Sequence, residues 1–169
     1  MEQKPHREEV PIEIAEPVTV RCSALVVRGD CILLCRRPAT DIWVLAGGSP
    51  RRSEGAWECA RREVSQETGL AVTPDRVAFV LDGTSPKGEQ HLFEIIFSAT
   101  EDDPSATPCG TEDGLAPSFV QLDALRDLML LPPIGERLRA FIERSPDRVA
   151  ETASYLGNAW GSIPEAASS

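Results

Sequence analysis

Apolar and polar positions alternate along this chain in short runs, broken by glycine- and proline-rich turns. Val18 to Val27 (VTVRCSALVV) follows Pro17 and is rich in β-branched residues, which predicts a strand. Arg28, Gly29 and Asp30 supply turn residues, and Cys31 to Cys35 (CILLC) returns as a second strand, completing a hairpin. The same three residues spell a cell-adhesion triplet, but between two apolar strands turn chemistry accounts for them. Ile42 to Leu45 is a further short strand running into Ala46-Gly47-Gly48. From Glu54 to Thr68 the period changes to that of a helix, with Ala56, Trp57, Ala60 and Val64 on one stripe. Ser53 is placed to cap its start, and Gly69 to take the left-handed position after its end.

Arg76 to Asp82 and His91 to Ala99 read as two more strands, and Thr100 to Gly114 as an acidic loop. Phe119 to Leu122 is a short strand leading into a helix-like stretch from Asp123. Pro132-Pro133 interrupts that stretch, and Ile134 to Arg144 continues as a helix. In the last segment Val149, Ala153, Leu156 and Trp160 recur at helical spacing, which predicts an amphipathic C-terminal helix. The resulting class is α/β, a mixed sheet flanked by helices. The division expected is a polar extension over 1–17, one domain over 18–144, and a helix and tail over 145–169.

Composition narrows the functions open to such a domain. A formal charge of −10 argues against a nucleic-acid partner, which would want clustered Lys and Arg. It leaves room for a phosphorylated small molecule, because a bound cation can supply local positive charge. No run approaches the roughly 18 apolar residues of a membrane span, so no membrane partner is expected. Residues 1–16 lack the apolar core of a signal peptide, and a cytoplasmic location is the expectation. The five cysteines, at 22, 31, 35, 59 and 109, include no C-x-x-C pair and read as buried reduced thiols.

The chemistry concentrates in Gly47 to Leu70 (GGSPRRSEGAWECARREVSQETGL). Glu63, Gln66 and Glu67 fall on one helix face, with two like charges one turn apart. Both carboxylates also sit near the helix C-terminus, where the macrodipole disfavours anions. A divalent cation would relieve both conflicts. The plainer alternative is a solvated acidic face shared with Arg61 and Arg62. Gly47-Gly48 after an apolar strand lets backbone approach a ligand and offers a carbonyl to a metal. Arg51 and Arg52 are either substrate contacts or solvated loop charges, and Glu54 at the helix start suits the dipole.

With Gly48, Glu54, Arg62-Glu63-Val64 and Glu67-Thr68-Gly69-Leu70 at these intervals, the segment resembles the Nudix box, G-x5-E-x7-R-E-U-x-E-E-x-G-U. The likeness extends from about Val18 to Glu143, and it implies a Nudix-type α/β/α sandwich. It further implies hydrolysis of a diphosphate linkage in a nucleoside diphosphate derivative, ADP-ribose-like or a nucleoside triphosphate, with Mg²⁺ or Mn²⁺. Carried over, Glu63, Glu67 and the Gly48 carbonyl would be metal ligands, Arg62 would pair with Glu54, and Gly69 would end the helix. A further carboxylate from later in the domain would complete the site or act as base, with Glu112 as candidate ahead of Glu94 and Asp113. Trp43 and His91 are candidate substrate contacts, each also explained as a structural residue. Dimers are frequent in the family, which makes a homodimer an expectation here.

One fixed position departs from the pattern. Gln66 stands where the first glutamate of the E-E pair belongs, keeping a ligating oxygen but losing the charge. Two readings follow: a hydrolase with a weakened metal set, or a catalytically impaired nucleotide-binding or regulatory module on the same fold.

Overall fold

The computed structural model describes residues 18–84, 91–110, 112–144 and 153–158. Its first two strands dictate the layering. Strand β1 (Val18–Arg28) and strand β2 (Cys31–Arg37) are joined through Gly29, at φ 56°, and Asp30. Their side chains alternate between two cores. Leu25, Ile32 and Leu34 enter one, while Ala24, Val26, Leu33 and Cys35 enter the other. A strand buried on both faces reads as a continuous apolar run, as these do.

Strand β3 (Ile42–Val44), the two-residue β4 (Gly47–Gly48), β5 (Val72–Thr84), β6 (His91–Glu101), β7 (Ala116–Gln121) and β8 (Ser154–Asn158) complete an eight-stranded mixed sheet. Its main order is β3-β2-β1-β6-β5-β8, with β4 on β1 and β7 on β2. β1 runs parallel to β6 in a register that sets Arg21 opposite Glu94, and β4 lies antiparallel to Cys22 and Ser23. Helix α1 (Ala56–Thr68) covers one face through Val64. Helix α2 (Gly135–Arg144) covers the other through Leu138 and Phe141, whose ring lies 4.9 Å from that of Phe79. The fold is the expected α/β/α sandwich.

Local differences have local causes. Helix α1 begins at Ala56 rather than Glu54, and Gly55 is its N-cap without a side-chain cap bond. Ser53 sits at φ 64° instead of capping. The Glu54 carboxylate accepts from the Arg51 amide (2.8 Å), so it closes the preceding loop. The buried stripe is Cys59, Ala60, Val64, Glu67 and Thr68, and Trp57 is exposed. Gly69 ends the helix as anticipated, at φ 70° with its amide bonded to Ser65 O (3.0 Å).

Strand β5 starts four residues before the expected Arg76, and Pro74 falls at a register shift, the kind of irregularity at which a strand tolerates proline. After Asp123 the chain makes a 3₁₀ turn, Leu122–Arg126, in place of a longer helix. At the C-terminus the amphipathic-helix expectation is corrected: Ser154–Asn158 forms β8, parallel to β5. An open strand edge offers a full row of backbone partners, and Gly157 and Asn158 are poor helix formers. Val149 and Trp160 lie outside the described residues, as does the N-terminal extension 1–17. No helix among the described residues is long and apolar enough to cross a membrane.

Candidate active site

The β1–β4 pairing brings the double glycine against α1. Gly47 lies so close to β1 that a Cβ there would reach Cys22 O at 2.5 Å and Ser23 Cα at 2.6 Å. Gly48 lies equally close to α1, since its Cβ would reach the Glu63 carboxyl at 2.5 Å. At Gly47 the contact includes backbone, which only glycine admits, whereas at Gly48 it is with the end of a side chain. The Gly47 amide donates to Glu67 Oε2 at 3.0 Å, and the Cys35 thiol lies 3.9 Å from the same oxygen.

Around this junction opens a cleft of about 550 Å³. Glu63 and Glu67 come from α1, Glu112 and Asp113 from the loop before β7, and Arg21 and Arg37 from β1 and β2. Thr40, Ile42 and Leu115 contribute to its walls. The lining thus holds four carboxylates and two guanidinium groups, and one of the four, Glu63, is already paired with Arg62. A cation would offset the carboxylates that remain.

The carboxylates differ in setting. Glu67 is buried, and desolvation pushes its carboxyl up to about 7 against the opposing Gly47 amide and Arg21. Glu63 is paired with Arg62 Nη1 at 2.6 Å. Arg62 also grips Glu54 with two parallel bonds, Nε to Oε1 at 2.7 Å and Nη2 to Oε2 at 2.8 Å. This fork, seconded by the Arg51 amide, holds Glu54 down at about 2. It ties the 49–55 loop to the middle of α1.

Cys22, Cys35 and Cys59 are buried and free, and burial raises all three thiols, Cys35 and Cys59 to about 12. They stay protonated at neutral pH, which suits packing rather than metal ligation. Cys109, expected inside, is exposed.

No group of three or more His, Cys, Asp or Glu side chains among the described residues is drawn together tightly enough to hold an ion unaided. The donors at the junction are two carboxylates, Glu63 and Glu67, and the Gly48 carbonyl, which also takes the Cys59 thiol at 3.4 Å. Such a set fits a hard divalent ion that keeps several waters and takes its remaining ligands from a phosphate. Thus the residues fit the cation that the box implies.

Other expected site residues stand elsewhere. Gln66 is exposed and accepts from Arg62 Nη1 at 2.8 Å, outside the cleft lining. Arg51 and Arg52 are exposed on their loop and do not line the cleft. Trp43 packs against the α2-side core, its backbone bonded to Met129 O and the Leu131 amide at 2.8 Å each. His91 is exposed at the start of β6, paired with Val18 and Thr84. Glu94 is fully buried and outside the cleft lining, whereas Glu112 and Asp113 reach it. Their loop is pinned by Cys109 N to Thr68 O (2.9 Å), and Arg28 anchors it with a bond to Ala106 O (2.8 Å). Arg28 itself stacks over Phe119 and pairs with Glu101. The cleft's arginines, Arg21 and Arg37, were missed because only strand pairing brings them to the junction. The one local sign was charge inside or at the end of apolar strands.

The NUDIX domain family model matches residues 17–144. A MutT NUDIX hydrolase from Burkholderia pseudomallei is 27% identical, covering 64% of this chain and 86% of its own, with a TM-score of 0.56. An ADP-ribose pyrophosphatase from Streptococcus suis shares the fold at 22% identity and TM-score 0.65, over 84% of this chain and all 100% of its own. A NUDIX hydrolase from Nitrosomonas europaea does so at 18% identity and TM-score 0.66, over 86% and 82%. Among curated proteins none matches the chain. With the family model spanning most of its length, and the box folded as a loop and helix against a charged cleft, the chain belongs to the NUDIX domain family and is a Nudix hydrolase.

Proposed function

We propose that the chain cleaves a diphosphate linkage in a nucleoside diphosphate derivative, using Mg²⁺ or Mn²⁺, with ADP-ribose-like compounds or nucleoside triphosphates as substrates. The observation that carries this reading is the convergence of Glu63 and Glu67 on Gly47–Gly48 at the wall of a cleft that also holds two arginines. Names among the structural relatives point the same way, one being an ADP-ribose pyrophosphatase and another a UDP-X diphosphatase at 18% identity and TM-score 0.65.

Glu63, Glu67 and the Gly48 carbonyl would hold the cation, which when bound would supply Lewis-acid charge to the diphosphate. Arg62 and Glu54 keep the loop and helix in register so that Glu63 stays beside Gly48. Glu112, on the pinned loop across the cleft, takes the proton of the attacking water. That water's oxygen bonds to phosphorus as the bridging P–O bond breaks, and the departing phosphate carries away the electron pair. Arg37, exposed at the rim, meets the outer part of the substrate.

The test is incubation with ADP-ribose, nucleotide sugars and nucleoside triphosphates under Mg²⁺ and Mn²⁺ titration, with products followed by chromatography. Cation-dependent release of a nucleoside monophosphate is expected from at least one class. Silence across the panel, together with nucleotide affinity indifferent to the cation, would reject hydrolysis and leave the binding-module reading.

Position 66 refines this. Because Gln66 bonds Arg62 and stays out of the cleft lining, Gln66→Glu acts on the cation through charge alone. The half-saturating Mg²⁺ concentration should fall by less than about tenfold. A larger fall, measured in the same titration, would place this side chain among the ligands.

A further inference from the structure

Glu94 is an unusual residue to find in the middle of a sheet. It is 1% exposed, and its Oε2 has no hydrogen-bond partner among the described residues. Its Oε1 accepts from the Ser23 hydroxyl and faces Arg21 Nε at 3.3 Å. Arg21 and Glu94 are register partners across the parallel β1–β6 pair, and Ser23 stands two residues along the same face of β1. A buried ion pair of this kind gives no stability advantage over well-packed apolar side chains. An arrangement that folding alone would not favour, placed directly behind a cleft, points to a task.

The task is legible in what Arg21 does with its donors. Nε is turned to Glu94, and Nη2 donates to Leu45 O at 3.0 Å, just ahead of the double glycine. A guanidinium carries five N–H donors, and these two contacts engage two of its nitrogens. The side chain remains 23% exposed, and it lines the cleft beside Gly47 and Glu67. The guanidinium is therefore fixed in place before any ligand arrives, with donors to spare, next to the carboxylates assigned to the cation. Arg37, by contrast, is an exposed residue at the rim.

We propose that Arg21 is a diphosphate-binding residue, donating from the cleft floor to phosphoryl oxygens that the cation leaves uncovered, and that Glu94 and Ser23 position it. The assignment rests on the diphosphate reading given above. It adds a charged anchor on β1, outside the box, whose side chain enters the site already oriented. Such preorganisation reduces the entropy lost when the ligand is gripped. Glu94 never touches substrate; it acts only through Arg21.

The assignment is tested by calorimetric titration of the full chain with α,β-methylene-ADP, a non-cleavable nucleoside diphosphate, in the presence of Mg²⁺. Arg21→Gln should weaken binding at least about tenfold, the scale of one lost charge-assisted hydrogen bond. Because Arg21→Gln strands the Glu94 charge, the double change Arg21→Gln with Glu94→Gln is measured alongside it, leaving a neutral pair that preserves the fold. It should lose affinity to the same degree. Glu94→Gln alone keeps an oxygen for Ser23 and Arg21 to address, and should show a smaller loss. Wild-type affinity in the double variant would overturn the role of Arg21 and reduce the pair to a structural one. No binding by the wild-type chain would overturn the diphosphate reading itself, and this assignment with it.

Discussion

Glu67→Gln should lower turnover by at least about a thousandfold, the equivalent of several kcal/mol of charge stabilisation at the reacting phosphate. The same change should make the metal-free protein more stable at alkaline pH. The Glu67 carboxyl is buried, and its protonation midpoint is pushed up to about 7 chiefly by desolvation. A carboxyl raised in the folded state favours folding while it is protonated. That contribution is complete below its unfolded value near 4.5, and is lost as pH climbs through about 7. The loss amounts to up to about 3 kcal/mol, or up to about 10 °C in Tm. Glutamine resembles the protonated acid and can still accept from the Gly47 amide, so the variant escapes the decline. Melting curves in chelator at pH 5 and pH 9 should converge at the lower pH and separate at the higher, variant above wild type. Parallel curves at both would mean that Glu67 ionises freely in the fold.

The second large effect is at Gly47. A Cβ at this position meets backbone atoms of β1, Cys22 O at 2.5 Å and Ser23 Cα at 2.6 Å, and backbone cannot rotate aside. Gly47→Ala should therefore force β4 off β1, withdraw the amide from Glu67 and cost about 3 kcal/mol or more. Its neighbour provides the control. At Gly48 the added methyl meets only the end of the Glu63 side chain, which can swing away. Gly48→Ala should keep most of the melting temperature and lose cation affinity. Gly29→Ala, with open space around it but φ at 56°, should cost about 1 kcal/mol and leave activity alone. If thermal melts rank Gly47→Ala with Gly29→Ala, the β1–β4 approach is looser than described.

What could be read from the sequence was whatever depends on near neighbours. The box declares α1 through its period and Gly69, and the Arg28–Asp30 turn declares the hairpin. The same locality explains the misses. Ser53 has a capping residue's chemistry, but it sits at φ 64° in a loop closed by the Arg51 amide on Glu54, and Gly55 takes the cap position. Strand β5 was expected from Arg76, and only the register shift after Pro74, opposite Ala99, shows how its earlier start is accommodated. Glu112 could be named only through the family resemblance, as a carboxylate from late in the domain. Its loop reaches the cleft through bonds to Thr68 and Arg28, far off in sequence. Arg21 and Arg37 had no signature, since nothing in a strand's own sequence says what lies across the sheet.

Strand β8 has a practical corollary for anyone cutting this protein down. The family model stops at residue 144, and the strand laid along β5 begins at Ser154. A fragment ending at the family boundary would carry every residue of the cleft and yet uncover the flank of β5. Unpaired strand flanks recruit other chains. Such a fragment should run as a concentration-dependent aggregate on size-exclusion chromatography while the full chain does not, and the familiar boundary would then prove to be a statement about ancestry rather than about where the sheet is finished.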